Sequence, residues 1–376
     1  MIYLDYAATT PVDTRVIEEM TRVMQTLYGN PSSLHQAGLA AQRYIQTCRK
    51  EIATLLGVKP QEIYFTSGGT EANNWALKGV MSNASSDEAL WITPIEHSSV
   101  KVTAEYLSSQ GHPLHFIPIH NNGQVDVEAW QSLLANHRTR LVSVIGGNNE
   151  IGTIQPLNEI VQLAHRHGAL VHIDGVQLIG QVPFSIPQTG ADLVSFTAHK
   201  FYGPKGIGVL YIKEGTPIDS LLHGGHQENG KRAGTESPFL IGGLLVALRQ
   251  ALATQTCHAV HLRDLASYVY QRIRDKYPTA IWNGPPIGPQ RLPGNLNFSF
   301  PHHDGHELVF HLQQHDIGVS TGSACHADQI VPSHVIQAIG VPLDAQLGTL
   351  RITLGRHTTI QEIQTFLHQF DEIMTA

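Results

Sequence analysis

The chain has 376 residues, enough for two domains or for one large α/β domain with a smaller lobe. A hydrophobic fraction of 41% and a charged fraction of 15% are ordinary for a globular protein, and no apolar run reaches the length of a membrane helix, so no membrane partner is expected. The net charge of −7, from 24 basic and 31 acidic residues without a Lys/Arg run, argues against nucleic acid as a partner.

The opening "MIYLDYAATTPVD" lacks a basic and then apolar leader pattern, and the expected location is cytoplasmic. Cys48, Cys257 and Cys325 are too few and too scattered for a disulfide framework, so any cysteine with a special role acts alone. Short apolar runs predict strands at 62–67, 89–94, 114–119, 140–146, 169–174, 192–198 and 208–212. Between most of them lie helical patterns such as "LNEIVQLAHRHG", where Leu157, Ile160, Val161 and Ala164 share one face. This alternation predicts an α/β fold, with a mostly parallel seven-stranded sheet flanked by helices.

Past the glycine-rich "HGGHQENGKRAGT", a long helix is predicted from about Phe239 to Tyr277. The remainder of the chain has an α+β pattern: "NLNFSF", a helix near "HELVFHLQQH", "GVSTGSA", a helix near "PSHVIQAIG", "LRITLG", and a last helix "TIQEIQTFLHQFDEIM". The expected division is a large domain over 1–250 and a smaller C-terminal domain over 251–376, with residues 1–14 packing on the latter. The cluster "PHHDGHE", with His303 and His306, sits among Pro and Gly and reads as a solvated turn, so no metal site is expected.

Chemistry concentrates where the predicted strands end. Lys200, in "FTAHKFYGPKG", follows an apolar run; burial there would favour the neutral amine, which can form a Schiff base, whereas a surface lysine in a turn is the plainer alternative. Asp174 ends "ALVHID", where a carboxylate can keep the pyridine nitrogen of pyridoxal phosphate protonated, or can simply cap a helix. Gln177, three residues on, could reach that ring's phenolic oxygen. In "FTSGGTEANN" the turn Ser67-Gly68-Gly69-Thr70 opens a helix and can cradle a phosphate with its N–H groups, although such turns are common in proteins that bind nothing. His97, in "TPIEHSSV", can lie on an aromatic cofactor or be an ordinary half-buried histidine.

The order of phosphate loop, histidine, aspartate and His-Lys, with "YLDYAATTPVD", "GNPSSLH", "NNEIG", "RAGTES", "QRLPGNLNFSF", "STGSACHAD" and "LRITLGRHTT", resembles the class V group of fold-type I pyridoxal-phosphate enzymes, and within it the cysteine desulfurases and selenocysteine lyases. The resemblance covers essentially the whole chain. It implies that Lys200 holds pyridoxal 5'-phosphate and moves the substrate α-proton, and that His97 stacks on the ring and serves in proton transfer. Asp174 would pair with the ring nitrogen and Gln177 with the phenolic oxygen. Thr70, Thr197 and His199 would bind the phosphate, with Thr235 reaching in from the other subunit of a homodimer. Asn149 would orient the substrate, and Arg351 would fork onto its carboxylate.

The resemblance also singles out Cys325 as the nucleophile that takes sulfur from L-cysteine, becoming a persulfide and leaving L-alanine. Six residues, His326 to Val331, separate it from "PSHV", a spacing that resembles the group passing sulfur to a separate acceptor or scaffold protein. A lyase acting on L-selenocysteine is the nearest alternative. A transaminase would give Cys325 no role, and a catalytically silent binding protein would not need every one of these positions filled. Val176 stands where related sequences usually carry Ala or Thr, and His226 and Glu228-Asn229 depart from the family pattern in the loop before Thr235.

Overall fold

A computed structural model describes residues 1–321 and 331–375. In chain order the elements are β1 (Ile2–Tyr3), α1 (Thr14–Thr26), α2 (Gln36–Leu56), β2 (Ile63–Thr66), α3 (Gly69–Met81), β3 (Ala89–Ile92), α4 (Ser98–Ser109), β4 (Leu114–Phe116), α5 (Val127–Leu134), β5 (Thr139–Ile145), α6 (Leu157–Arg166), β6 (Leu170–Asp174), α7 (Ile186–Thr189), β7 (Leu193–Thr197) and β8 (Gly208–Ile212). The long α8 (Pro238–Lys276) leads to β9 (Ile281–Trp282), β10 (Asn295–Ser299), α9 (Gly305–Gln314), β11 (Ile317–Gly318), α10 (His334–Ala338), α11 (Leu343–Gln346), β12 (Thr349–Thr353) and α12 (Ile360–Thr375).

All seven strands expected in the first two-thirds of the chain join one sheet, in the order β2-β8-β7-β6-β5-β3-β4. Only β8 runs against its neighbours; it pairs antiparallel with both β2 and β7. Apart from the edge strand β4, whose Phe116 is exposed, the strands are buried on both faces, and successive side chains enter different cores. Thus Ile63 and Phe65 of β2 pack with α2, α6 and the first half of α8, while Tyr64 packs with α3 and α4 on the other side. Because β2, β3, β5, β6 and β7 all point the same way, their C-terminal ends share one edge. The chain steps outward from β3 to β4 and then back across β5, β6 and β7, and that reversal opens a crevice at the carboxyl edge.

A second apolar cluster forms around the three-stranded sheet β12-β10-β9, with Phe298, Leu350 and Ile352 against α9 and α12. The helix α8 serves both: Ile241 to Leu248 belong to the first core, and Leu265 to Ile273 to the second. Contrary to the expectation from sequence, α8 is by length and composition apolar enough to cross a membrane, the one such helix among the described residues; much of its apolar surface instead fills these two cores. The N-terminal segment bridges the lobes. Its β1 pairs parallel with β11 and Leu4 enters the second core, while Thr10 donates its backbone N–H to the carbonyl of His199, 3.0 Å away beside the large sheet.

Candidate active site

A cleft of about 810 Å³ opens at the carboxyl edge of the sheet. Its walls include Gly69, Thr70, His97, Asn149, Asp174, Gln177, Thr197, His199, Lys200 and Arg351. Of the residues singled out from sequence, two are not among them. Cys325 lies outside the described residues, and Thr235 is exposed on the loop before α8.

Each wall residue of the large lobe is delivered at or near the end of a strand. A single turn of 3-10 helix, Ala198–Lys200, follows β7 and presents Lys200. Its ammonium donates to the carbonyls of Ala7 (2.5 Å) and Ala8 (2.9 Å). Burial, reinforced by the Arg351 guanidinium, pulls the Lys200 pKa down to about 8. The neighbouring His199 is held down to about 4 by burial and by the charges of Lys200 and Lys205, and its Nδ1 meets the hydroxyl of Thr9 at 3.1 Å. Thr197 faces the cleft with its hydroxyl donating to the carbonyl of Ile207 at 2.9 Å.

Asp174 is the last residue of β6 and is buried. One carboxylate oxygen accepts the N–H of Val176 at 3.0 Å, the other the side-chain amide of Asn73 at 2.7 Å. Gln177 sits three residues on, its amide donating to the carbonyl of Ala7 (2.9 Å) and its oxygen accepting from Gln181 (3.0 Å). The carbonyl of Ala7 therefore gathers both Lys200 and Gln177.

The turn after β2 leads directly into α3, whose N-terminus at Gly68-Gly69 has no side-chain cap, so its first N–H groups remain open toward the cleft. Two glycines make this approach possible. A Cβ at Gly208 would lie 2.7 Å from the backbone of Gly68, and one at Gly69 would lie 2.9 Å from a methyl of Val176. The branched side chain noted at Val176 thus packs directly against the turn.

His97 caps α4, its Nδ1 accepting the backbone N–H of Ser99 at 3.1 Å. Burial lowers its pKa, with the positive charge of Lys200 acting in the same sense and Asp174 in the opposite one. Arg351 comes from the other lobe, on β12, and pairs with Asp5 at 2.7 Å; its Nη1 lies 3.4 Å from the carbonyl of Asn149. Its buried Nε has no partner among the described residues, and neither has the side-chain oxygen of Asn73.

These features fit pyridoxal phosphate. An amine drawn toward neutrality, a buried carboxylate at a strand end, an uncapped helix N-terminus and an incompletely engaged guanidinium line one cleft. The volume also suits a small cofactor with an amino acid.

Several residues at the site were not read from sequence. Asp5, Asn73 and Ser99 join it through contacts distant in the chain. Glu96 and Glu150, inside quoted motifs but unassigned, are fully buried carboxyls pushed up by burial to about 8 and about 7. Glu96 accepts from the hydroxyl of Thr93 (2.6 Å) and the N–H of Ile145 (2.7 Å). Glu150 accepts from the hydroxyl of Ser333 at 2.6 Å, and His334 reaches the carbonyl of Glu96 at 2.9 Å, so these two elements fix where α10 begins.

The aminotransferase class-V family matches residues 2–366. The chain is 40% identical over 374 residues to the cysteine desulfurase IscS of Dictyoglomus turgidum, covering 99% of this chain and 94% of that one. It is 36% identical to the cysteine desulfurase NifS of Azotobacter vinelandii, covering 99% and 92%. Among solved structures, a NifS-like protein superposes with a TM-score of 0.92 at 38% identity, covering 100% of this chain and 99% of the other. A structure described as SspA in complex with cysteine gives 0.81 at 31% identity, covering 96% and 100%. The chain belongs to the class-V aminotransferase family and, within it, to the cysteine desulfurases.

Proposed function

We propose that this cleft removes sulfur from L-cysteine with pyridoxal phosphate bound, releasing L-alanine and leaving the sulfur on Cys325. The observation that carries the reading is the convergence of Lys200, Asp174, His97 and Arg351 on one cleft of a chain whose relatives are cysteine desulfurases.

Lys200, Asp174, Gln177 and the N-terminus of α3 with Thr70 hold the cofactor, whose ring supplies an electron sink for the bonds at the substrate α-carbon. Thr197 and His199 border the phosphate, and Thr235 completes it from the second copy in a homodimer; its exposure on its own chain supports that assignment. Arg351 receives the substrate carboxylate in place of Asp5, and Asn149 borders the same spot. Lys200 carries the proton of the α-carbon, a task suited to an amine with a pKa of about 8. The Cys325 thiolate attacks the substrate sulfur, so that an S–S bond forms as the C–S bond breaks. The electron pair of the broken bond stays with carbon, which takes up a proton and leaves as the methyl group of alanine. The "STGSACHAD" motif supports Cys325 in this role.

A sulfur acceptor or scaffold protein, a cytoplasmic location and the division at residues 250/251 belong to the same reading. The division falls inside α8 and is supported by its two separate apolar cores.

The test is a mass spectrum after brief exposure to L-cysteine without reductant, with alanine measured in the same tube. One added sulfur on Cys325 with matching alanine is expected; pyruvate without an adduct would sink the assignment. Turnover of L-selenocysteine in parallel separates a desulfurase from a selenium-specific lyase.

A further inference from the structure

Four polar side chains, brought together from three elements, form one hydrogen-bonded line along the wall of the cleft. Asp174 Oδ2 accepts from Asn73 Nδ2 at 2.7 Å. The same Asn73 nitrogen reaches Ser99 Oγ at 2.8 Å, and Ser99 Oγ lies 2.8 Å from His97 Nδ1.

Donor and acceptor roles along this line follow from the carboxylate. An ionised carboxylate only accepts, so the Asn73 amide must turn its NH₂ toward Asp174; the opposite flip would set oxygen against oxygen. That nitrogen has two hydrogens, and the second falls on Ser99 Oγ. Because Ser99 Oγ accepts there, its own hydrogen is free to point at His97 Nδ1. The backbone N–H of Ser99 converges on the same Nδ1 at 3.1 Å. With two donors aimed at it, Nδ1 is an acceptor, and the ring proton must sit on Nε2.

We propose that Asn73 and Ser99 are positioning residues that use the Asp174 carboxylate to fix His97 as its Nε2–H tautomer, leaving Nε2–H as the one ring N–H available for the reaction. The geometry stands by itself, but its catalytic meaning rests on the role given to His97 above. Two further features agree. The side-chain oxygen of Asn73 is buried without a partner among the described residues, so this amide orientation is kept for its nitrogen's contacts at the expense of its oxygen. Burial also disfavours the imidazolium of His97, whose Nδ1–H would be set against the backbone N–H of Ser99.

One group thus sets two functions at opposite ends of the line. Asn73 clamps the carboxylate meant for the cofactor ring nitrogen and, through Ser99, orients the imidazole meant for the ring face.

The tautomer can be read directly by ¹⁵N NMR of the full-length protein labelled in its histidine rings, with and without added pyridoxal phosphate. His97 is assigned by loss of its signals in His97→Gln. The expected spectrum at neutral pH has a protonated Nε2 and an unprotonated, hydrogen-bonded Nδ1. Asn73→Ala should free the Ser99 hydroxyl to accept, so that both tautomers become comparably populated and alanine formation falls about tenfold. Ser99→Ala removes one of the two donors without opening a large cavity and should raise the Nδ1–H population less. Ser99→Thr, which keeps the hydroxyl, should restore the wild-type spectrum.

A protonated Nδ1 in the wild-type protein, or an unchanged tautomer in both Asn73→Ala and Ser99→Ala, would overturn the proposal. The assumed role of His97 is tested separately by alanine formation in His97→Gln. Full activity there, with the Nε2–H tautomer intact in the wild type, would refute the catalytic role while leaving the relay standing.

Discussion

Two arginine–carboxylate pairs, one buried in the large lobe and one half-buried where the lobes meet, are built on opposite terms. Under the sheet, Arg49 and Glu228, with side chains 7% and 1% exposed, make a two-pronged pair at 2.9 and 2.6 Å. Arg49 also donates to the carbonyl of Ile63 and lies 4.6 Å over the ring of Phe65, while Glu228 takes the N–H of Phe65 at 2.9 Å. At the cleft, Arg351 and Asp5, 6% and 21% exposed, share one contact at 2.7 Å. There Nε has no partner among the described residues and Nη1 has only a long contact. The first pair satisfies its groups internally and ties a loop to β2. The second leaves hydrogen-bonding capacity open at the mouth of a cavity, the condition in which a guanidinium can receive an outside carboxylate.

This contrast predicts that changes at the cleft alter chemistry with little loss of stability, while changes under the sheet do the reverse. Lys200→Ala should lower alanine formation by about a thousandfold or more with the melting temperature nearly unchanged. A comparable drop in melting temperature would erase the distinction. Arg49→Ala leaves Glu228 buried without its partner and should cost about 3–5 kcal/mol in denaturant unfolding. If the loss is below about 1 kcal/mol, the pair under the sheet does not anchor its loop to β2.

Arg351→Lys keeps the charge but loses the fork. The KM for L-cysteine should rise about 10- to 100-fold while unfolding stability holds. A fall in stability with KM unchanged would move Arg351 into the structural class. Asp5→Asn is the mildest change, since it weakens a competitor for the same guanidinium; KM should fall about two- to fivefold, and a rise would show that Asp5 orients Arg351 instead.

The pH dependence of Lys200 sharpens the comparison further. Its pKa near 8 makes it an ammonium below that pH and a free amine above it. Reductive methylation of Lys200 in the cofactor-free chain should climb as the pH rises through about 8 and then level off, whereas ordinary lysines continue to gain reactivity up to about 10.4. A Lys200 profile that follows the ordinary lysines would refute the desolvated-amine account.

Much of this arrangement was legible in the sequence because apolar runs that end in polar residues are local signals. Lys200, Asp174 and His97 could be found as the residues at which strand patterns stop. The direction of β8 could not, because the burial pattern of a strand covered on both faces is the same whichever way it runs. The helix near "PSHVIQAIG" was expected, but its regular part is only His334–Ala338, ending before Gly340. Asp5, Asn73 and Ser99 were missed for a different reason. Their meaning lies in partners 346, 101 and 26 positions away, and a polar residue carries no mark of a distant partner. Glu228 was noticed only as a departure from a family pattern; the burial that explains it depends on Arg49, 179 residues earlier.

The N-terminal segment has a consequence for how the molecule is made. Ile2 and Tyr3 pair with Ile317 and Gly318, Asp5 bridges to Thr353, and the carbonyls of Ala7 and Ala8 hold Lys200. Residues 2–5 therefore wait for residues more than 300 positions later before they reach their places. The large sheet can form as synthesis proceeds, but its cleft remains unfinished until β12 has emerged. A nascent chain stopped short of residue 349 would carry Lys200 without Arg351, and the two halves of the site would meet only once β12 had been made.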